Sequence, residues 1–224
     1  MGALLELTAS EAYELWAANY PPMAHNALMR AEERAMLNWL PPSLHGSRVV
    51  DIGCGSGRYL LHARQRGATL LGVDQSAAML RAAAGNGLPV VRGDVLRLPI
   101  CSSWADLALC ALTLGHVTTL ETALREIARV LHGPGTALCS EPHPAGTALG
   151  WQRSFRVGTQ DYAVQHITHT YADWHRACSA TGLAIEDVAE PRLDPADIPP
   201  GAHFDRRALE IPVALVLKLR RRDS

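Results

Sequence analysis

Val49-Val50-Asp51-Ile52-Gly53-Cys54-Gly55-Ser56-Gly57-Arg58 is an apolar strand-like run that breaks into three glycines within five positions and then continues into helix-forming residues. Strand, tight turn and helix start in that succession form the place where an open α/β sheet binds ligands, at the carboxyl ends of its strands. Glycines there remove side chains where a ligand must approach the main chain. The pattern predicts that the turn's amides donate to an anionic group near the helix N-terminus. Cys54 reads as a small residue tolerated in the turn.

The glycine spacing separates nucleotide classes. A dinucleotide fingerprint needs glycines at relative positions 1, 3 and 6; counted from Gly53 the sixth position is Arg58, and counted from Gly55 it is Leu60. Neither register suits NAD, which disfavours a nicotinamide-dependent oxidoreductase. No Gly-Lys-Ser or Gly-Lys-Thr is present, so a phosphate loop for ATP or GTP is excluded.

Outward from this turn, short apolar runs alternate with helical stretches, the βαβα pattern of a parallel sheet covered on both faces. Strands are predicted near 48–52, 69–73, 89–92, 105–111, 136–141 and 184–189, with a last run at 211–217, about seven in all. Helices are predicted over 59–66, 76–84 and 120–131, the last with Glu121 four residues before Arg125. A further helix opens at Thr170 and Asp173 and closes at Gly182. Segments 144–169 and 191–210, the latter holding Pro191, Pro195, Pro199 and Pro200, read as loops, with a helix as the equal alternative for the first.

Before the sheet, Thr8 and Glu11 make a capping box, and Tyr13, Trp16 and Tyr20 follow at helical spacing until Pro21 and Pro22. Asn26 caps a second helix that ends before Pro41 and Pro42. Residues 1–42 therefore read as an N-terminal helical lid, and 43–224 as the ligand-binding domain.

Composition narrows the classes of function. The chain has 224 residues, 48% hydrophobic and 19% charged, which suits one domain burying roughly 70% of its unfolded surface. Intrinsic disorder is excluded. With 21 basic and 22 acidic residues, net charge −1, it lacks the basic excess that would gather a phosphate backbone, so nucleic acid is not expected as a partner. The five cysteines are scattered without a Cys-x-x-Cys pair, which predicts a reducing cytoplasm. Glu6, Glu11 and Glu14 replace the basic start of a secretory signal, and no apolar run approaches a membrane span, so neither export nor a membrane partner is expected.

The segment Asp51-Ile52-Gly53-Cys54-Gly55-Ser56-Gly57 resembles the acidic-x-Gly-x-Gly-x-Gly signature of class I S-adenosylmethionine-dependent methyltransferases, of the small-molecule, type 11-like kind. The likeness continues in order through Gly72-Val73-Asp74-Gln75-Ser76, Gly93-Asp94-Val95, Trp104-Ala105-Asp106-Leu107-Ala108-Leu109 and Leu131-His132-Gly133-Pro134-Gly135, covering about residues 48–142. The last of these departs from the family's usual Leu-x-Pro-Gly-Gly by a shifted proline, in a turn away from the cofactor.

The resemblance implies a doubly wound, seven-stranded Rossmann-like sheet whose last strand is antiparallel. It implies S-adenosylmethionine as cofactor, leaving S-adenosylhomocysteine as product. Asp51, Gly53, Cys54, Gly55 and Gly57 would form the donor-binding turn, with Asp74 and Gln75 at the ribose, Asp94 and Val95 at the adenine, and Ala111 and Tyr20 completing the pocket. Tyr13, Trp16 and Tyr20 would lie over the donor.

Because the donor methyl is already activated, alignment of the acceptor supplies much of the catalysis, about 7–11 kcal/mol. A hydroxyl or carbon acid also needs a general base, for which His116 and His143, beyond the fourth and fifth strands, are candidates, with His166 and His169 in reach. A carboxylate or thiol acceptor needs none. The histidines show no metal-ligand spacing, so no metal is expected. Lys218, Arg220, Arg221 and Arg222 read as a solvated basic tail.

The expected activity is methyl transfer to a small molecule, with oxygen preferred over carbon, nitrogen or sulfur. The alternative is a non-catalytic sensor or scaffold using the same pocket, since fold alone does not fix function.

Overall fold

Strands built from Val, Leu and Ala, buried on both faces, fix the centre of the fold. The computed structural model describes residues 4–198 and 204–222, so Pro199 and Pro200 of the expected loop lie outside the described residues. Its strands are β1 (Leu5–Leu7), β2 (Arg48–Ile52), β3 (Thr69–Asp74), β4 (Val90–Arg92), β5 (Ala105–Ala111), β6 (Leu131–Pro142), β7 (Ser154–Val157), β8 (Gln160–Val164), β9 (Leu183–Ala189) and β10 (Ala214–Arg221). Seven form one sheet in the order β4-β3-β2-β5-β6-β10-β9, parallel from β4 to β6, with β10 antiparallel to both neighbours. This is the doubly wound Rossmann-like sheet expected. The chain order reverses between β2 and β5, and their carboxyl ends flank the resulting crevice.

The α-helices are α1 (Ala9–Trp16), α2 (Ala27–Trp39), α3 (Arg58–Gln65), α4 (Ala77–Gly85), α5 (Leu120–Val130), the short α6 (Pro144–Ala148) and α7 (Tyr171–Thr181). Local chemistry starts and stops them as the sequence predicts. Thr8 and Glu11 close a capping box on α1, Thr170 and Asp173 close one on α7, and Gly182 ends α7 with a left-handed φ of 74°. Ser76 caps α4 by accepting from the Met79 amide. In α5, Leu120, Ala123, Leu124 and Ile127 bury one face, and Glu121 and Arg125 pair at 2.5 Å on the other.

Helices α5 and α7 cover one face of the sheet, where Trp174, Leu124 and Ile127 meet Val50, Cys110 and Cys139. On the other face, Met36 and Leu40 pack with Tyr59, Val49, Leu109, Leu138 and Val216. Helix α2 is thus a wall of the core. Of the expected lid 1–42, α1 and the 3₁₀ turn after it (Ala17–Asn19) are the part that reaches the ligand-binding end.

Three expectations are corrected by tertiary pairing. Segment 144–169 is structured: it holds α6 and the hairpin of β7 and β8, and β8 also pairs in parallel with β1. A three-residue strand has no stability alone, and its partner lies more than 150 residues away, so local pattern could not reveal it. Strand β6 begins at Leu131, because Leu131 pairs with Ala105 and takes over the residue assigned to the end of the helix. The basic tail is largely sheet, in β10 between β6 and β9: Lys218 pairs with Glu186 at 3.0 Å, and Arg220 donates to the Pro134 carbonyl and the Thr136 hydroxyl.

Candidate active site

The carboxyl ends of β2, β3 and β5 open into a cleft with about 1070 Å³ of empty space, counted to its mouth. Of the residues singled out in the sequence, Tyr20, Asp51, Gly53, Cys54, Gly55, Asp74, Gln75, Asp94, Val95, Ala111 and His116 line it. Gly57 and His143 do not. Gly57 sits behind the turn with φ 97°, where a Cβ would strike the Leu88 side chain at 2.2 Å. Its requirement is packing.

The glycine turn is built differently from an anion-binding loop. Gly53 and Cys54 both donate their amides to the Val73 carbonyl, at 2.8 and 3.0 Å, and Gly57 donates to the Cys54 carbonyl. The Gly55 amide donates to Asp74 Oδ2 at 2.8 Å. The amides of Gly53 and Cys54 thus tie β2 to β3, and the anionic group that the Gly55 amide meets is the protein's own Asp74 carboxylate. Gly53 has φ 70°, and a Cβ on it would lie 2.2 Å from Thr113 Oγ1; at Gly55, with φ 54°, a Cβ would meet only open cleft.

Asp74 is held from both sides. Its Oδ1 accepts the Ser76 amide at 2.8 Å while Oδ2 accepts that of Gly55. Each oxygen keeps acceptor capacity, so a neighbouring pair of hydroxyls could donate to a carboxylate already oriented. Burial raises its pKa, against the pull of those amides. Asp94 is fixed in a similar way, with Oδ1 accepting the Leu96 amide at 2.9 Å.

Below the turn lies a buried charged network that sequence reasoning missed. Glu32 of α2 is fully buried; its carboxylate pairs with Arg58 at 2.8 Å and accepts from the Tyr59 hydroxyl at 2.8 Å and the Ser140 hydroxyl at 2.6 Å. Arg58 also reaches Glu33 at 3.3 Å. Asp51, 2% exposed, stands near this cation, and burial still pushes its pKa up to about 7. An Arg directly after the third glycine, with adjacent acids on the preceding helix, was the available signal.

The opposite wall comes from α1 and the segment containing β7 and β8. Tyr13 and Tyr20 face the cleft, whereas Trp16 turns away to stack on Phe155, centroids 4.5 Å apart and planes 6° from parallel. The Arg153 guanidinium lies 5.4 Å from the Tyr13 and Trp16 ring centres and 6.0 Å from that of Tyr20, and donates to the Tyr20 hydroxyl at 2.9 Å. Nothing in the local pattern distinguished Arg153 from Arg156.

The histidines divide. His116 Nδ1 lies 3.1 Å from the Gln165 carbonyl, which can only accept, so Nδ1 carries the proton and Nε2 accepts from the Tyr13 hydroxyl at 3.2 Å. Burial, helped by the Arg153 charge, pushes its pKa down to about 4. His166 behaves alike, also at about 4. His143 instead caps α6: its Nδ1 accepts the Ala145 amide at 3.1 Å, and Nε2 donates to Glu190 at 2.8 Å. That placement, outside the cleft, answers the sequence expectation for His143 as a base.

Glu141, next along β6 from Ser140, is a second group the sequence did not disclose. It is 5% exposed, neither carboxyl oxygen has a partner in hydrogen-bond geometry among the described residues, and burial pushes its pKa up to about 8 despite the nearby backbone N–H groups of Gly115, Leu114 and Thr113. Among the described residues no group of three or more His, Cys, Asp or Glu could hold a metal ion, and no helix is long and apolar enough to cross a membrane.

The residues present fit an adenosyl sulfonium donor. Asp74 offers paired acceptors at one strand end, Asp94 an acceptor at the next, and the bare Gly55 leaves space between them and the cap.

Residues 50–139 match the family described as Methyltransferase domain. The chain is 31% identical over 143 residues to the biotin biosynthesis bifunctional protein BioHC of Cellvibrio japonicus, an alignment covering 62% of this chain and 28% of that protein. It is 30% identical over 145 residues to demethylmenaquinone methyltransferase of Mycobacterium bovis, covering 65% and 58%. The chain thus spans between about a quarter and somewhat over half the length of these curated relatives. A crystal structure of an S-adenosylmethionine-dependent methyltransferase from Mesorhizobium loti superposes with a TM-score of 0.70 at 26% identity, covering 85% of this chain and 98% of that one.

Proposed function

We propose that this chain, whose residues 50–139 match the family described as Methyltransferase domain, transfers a methyl group from S-adenosylmethionine to a small-molecule acceptor, at oxygen. The observation that carries this reading is the carboxylate of Asp74, clamped by the Gly55 and Ser76 amides at the end of β3 and open to the same cleft as Asp94 and His116. When bound, the donor supplies a methyl carbon on a positively charged sulfur, transferable to a nucleophile without further activation.

The protein's part is to hold, align and exclude water. Asp74, with Gln75 beside it, receives the ribose hydroxyls, and Asp94 with the Val95 amide addresses the adenine. Asp51, Gly53, Cys54 and Ala111 wall the methionine portion, and Tyr20 and Tyr13 cover the cleft from α1 and the turn after it. Helix α1 and that turn are the moving part of the lid in this reading, since α2 is fixed in the core. His116, its Nε2 already engaged by Tyr13, acts as a neutral positioning group at the acceptor end; a base of such low pKa accepts a proton poorly at neutral pH.

The test combines calorimetry with S-adenosylhomocysteine and a release assay for that product across small hydroxylated, carboxylated, amine and thiol acceptors. Binding together with turnover supports an enzyme. Binding without turnover on any acceptor supports the sensor or scaffold alternative, and absence of binding overturns the donor assignment.

A further inference from the structure

Arg153 is the cation of the cap without an acid. Among the described residues no carboxylate lies within ion-pair distance of it, whereas Arg58, which also lines the cleft, is paired with Glu32 and Glu33. Among the described residues its guanidinium makes one hydrogen bond, to a neutral group, the Tyr20 hydroxyl. Tyr13, Trp16 and Tyr20 surround it with ring faces, which tolerate a cation but do not neutralise it. Burying a charge in this state is costly unless a partner arrives. A planar guanidinium lining a cleft is suited to two parallel bonds to a carboxylate.

We propose that Arg153 is the docking group for the acceptor, and that the acceptor is a small hydrophobic carboxylic acid methylated on its carboxylate oxygen. This deepens the methyltransferase reading above and rests on it. Three observations select the acceptor's carboxylate. Arg153 belongs to the segment between α6 and β7, part of the cap, while the acids assigned to the donor, Asp51, Asp74 and Asp94, stand on or just after strands of the sheet. Its charge is felt by His116 after β5, Glu141 near the end of β6 and His166 after β8, none of them assigned to the donor. Finally, the one histidine that lines the cleft has both ring nitrogens engaged, Nδ1 with the Gln165 carbonyl and Nε2 with the Tyr13 hydroxyl. A hydroxyl or amine acceptor would have to lose a proton, and a carboxylate at neutral pH already has. The wall of Tyr13, Leu112 and Val117 provides the apolar surface for the rest of the acid.

The chemistry balances without a base. A lone pair on the carboxylate oxygen forms the new bond to the methyl carbon, the pair of the breaking carbon–sulfur bond stays on sulfur, and a neutral methyl ester and a neutral thioether result. No proton moves. Arg153 holds the anion before transfer and loses its attraction once the charge is gone, which favours release of the ester.

The test uses the full chain loaded with S-adenosylhomocysteine and titrated calorimetrically with benzoate, phenylacetate and hexanoate, against benzamide, benzyl alcohol and hexanamide. At least one carboxylate should bind, its amide at least tenfold more weakly, and Arg153→Met should weaken the carboxylate at least tenfold while Arg153→Lys retains part of the affinity. With S-adenosylmethionine, the acid that binds should yield a methyl ester identified by mass spectrometry. Two controls separate the failures. If Arg153→Met loses S-adenosylhomocysteine affinity but binds methylthioadenosine normally, the cation serves the donor's own carboxylate and the proposal is overturned. If no carboxylate binds, or Arg153→Met binds it equally well, the proposal is overturned while the methyltransferase reading stands; failure of wild type to bind S-adenosylhomocysteine overturns that reading instead.

Discussion

Asp74 Oδ2 accepts the Gly55 amide at 2.8 Å, so the acid that ends β3 and the glycine turn that follows β2 are one structural unit. The same carboxylate is assigned to the donor's ribose. Its orientation therefore does not depend on ligand, and its removal affects two motifs at once.

Asp74→Ala is expected to lower S-adenosylhomocysteine affinity at least tenfold, since each charge-assisted hydrogen bond carries roughly 1.5–3 kcal/mol. Asp74→Asn, which keeps one acceptor oxygen, should fall between the two. Calorimetry on protein shown folded by circular dichroism measures both, and unchanged affinity in Asp74→Ala removes the ribose assignment.

The two cleft glycines should fail differently. Gly53→Ala drives a methyl into Thr113 and should destabilise the fold, with partial rescue by Thr113→Ala, which deletes the nearest contacting atoms. Gly55→Val meets open space but needs a left-handed backbone, at a cost of roughly 1–2 kcal/mol. It should remain folded with a lowered melting temperature and lose donor binding, because its side chain occupies the cleft. Retained binding would place the donor elsewhere.

Glu141 makes the unliganded protein sensitive to alkali. Its folded pKa, about 8, lies above its ordinary value of about 4.5, so its contribution to stability is present below the lower value and lost as pH rises through the upper one. Glu141→Gln removes this dependence: relative to wild type it should gain roughly 3–4 kcal/mol between pH 5 and pH 8. His116 and His166 act with the opposite sign, their contribution present above about pH 6.5 and lost as pH falls towards 4. Urea unfolding of both proteins across this range reads the difference, and parallel profiles would show that Glu141 is solvated in solution.

Closure of the cap should be visible by hydrogen exchange, with amides of residues 8–20 gaining protection when S-adenosylhomocysteine is added. Deleting residues 1–24 should leave the seven-stranded sheet intact but unpair β8 from β1 and expose Phe155, lowering turnover. Trp16→Ala is the milder version, removing the stack on Phe155 while keeping Tyr13 and Tyr20. Identical protection with and without ligand, together with normal turnover of the truncated chain, would make the segment ordinary packing.

The sequence by itself determined whatever is encoded over short range. Apolar runs and capping residues such as Thr8, Asn26 and Thr170 disclosed the sheet and its helices, because hydrophobic period and cap chemistry act within a few residues. Five ordered motifs located the cleft, with Asp51, Asp74 and Asp94 in it, because strand ends in a parallel sheet share one edge. Tertiary structure alone decided the rest. The pairing of β1 with β8, the burial of Glu32 against Arg58, the division between His116 in the cleft and His143 outside it, and the isolation of Arg153 among three aromatic rings all join residues distant in the chain. Charge state and contact at such places depend on desolvation by neighbours, and no local pattern names those neighbours.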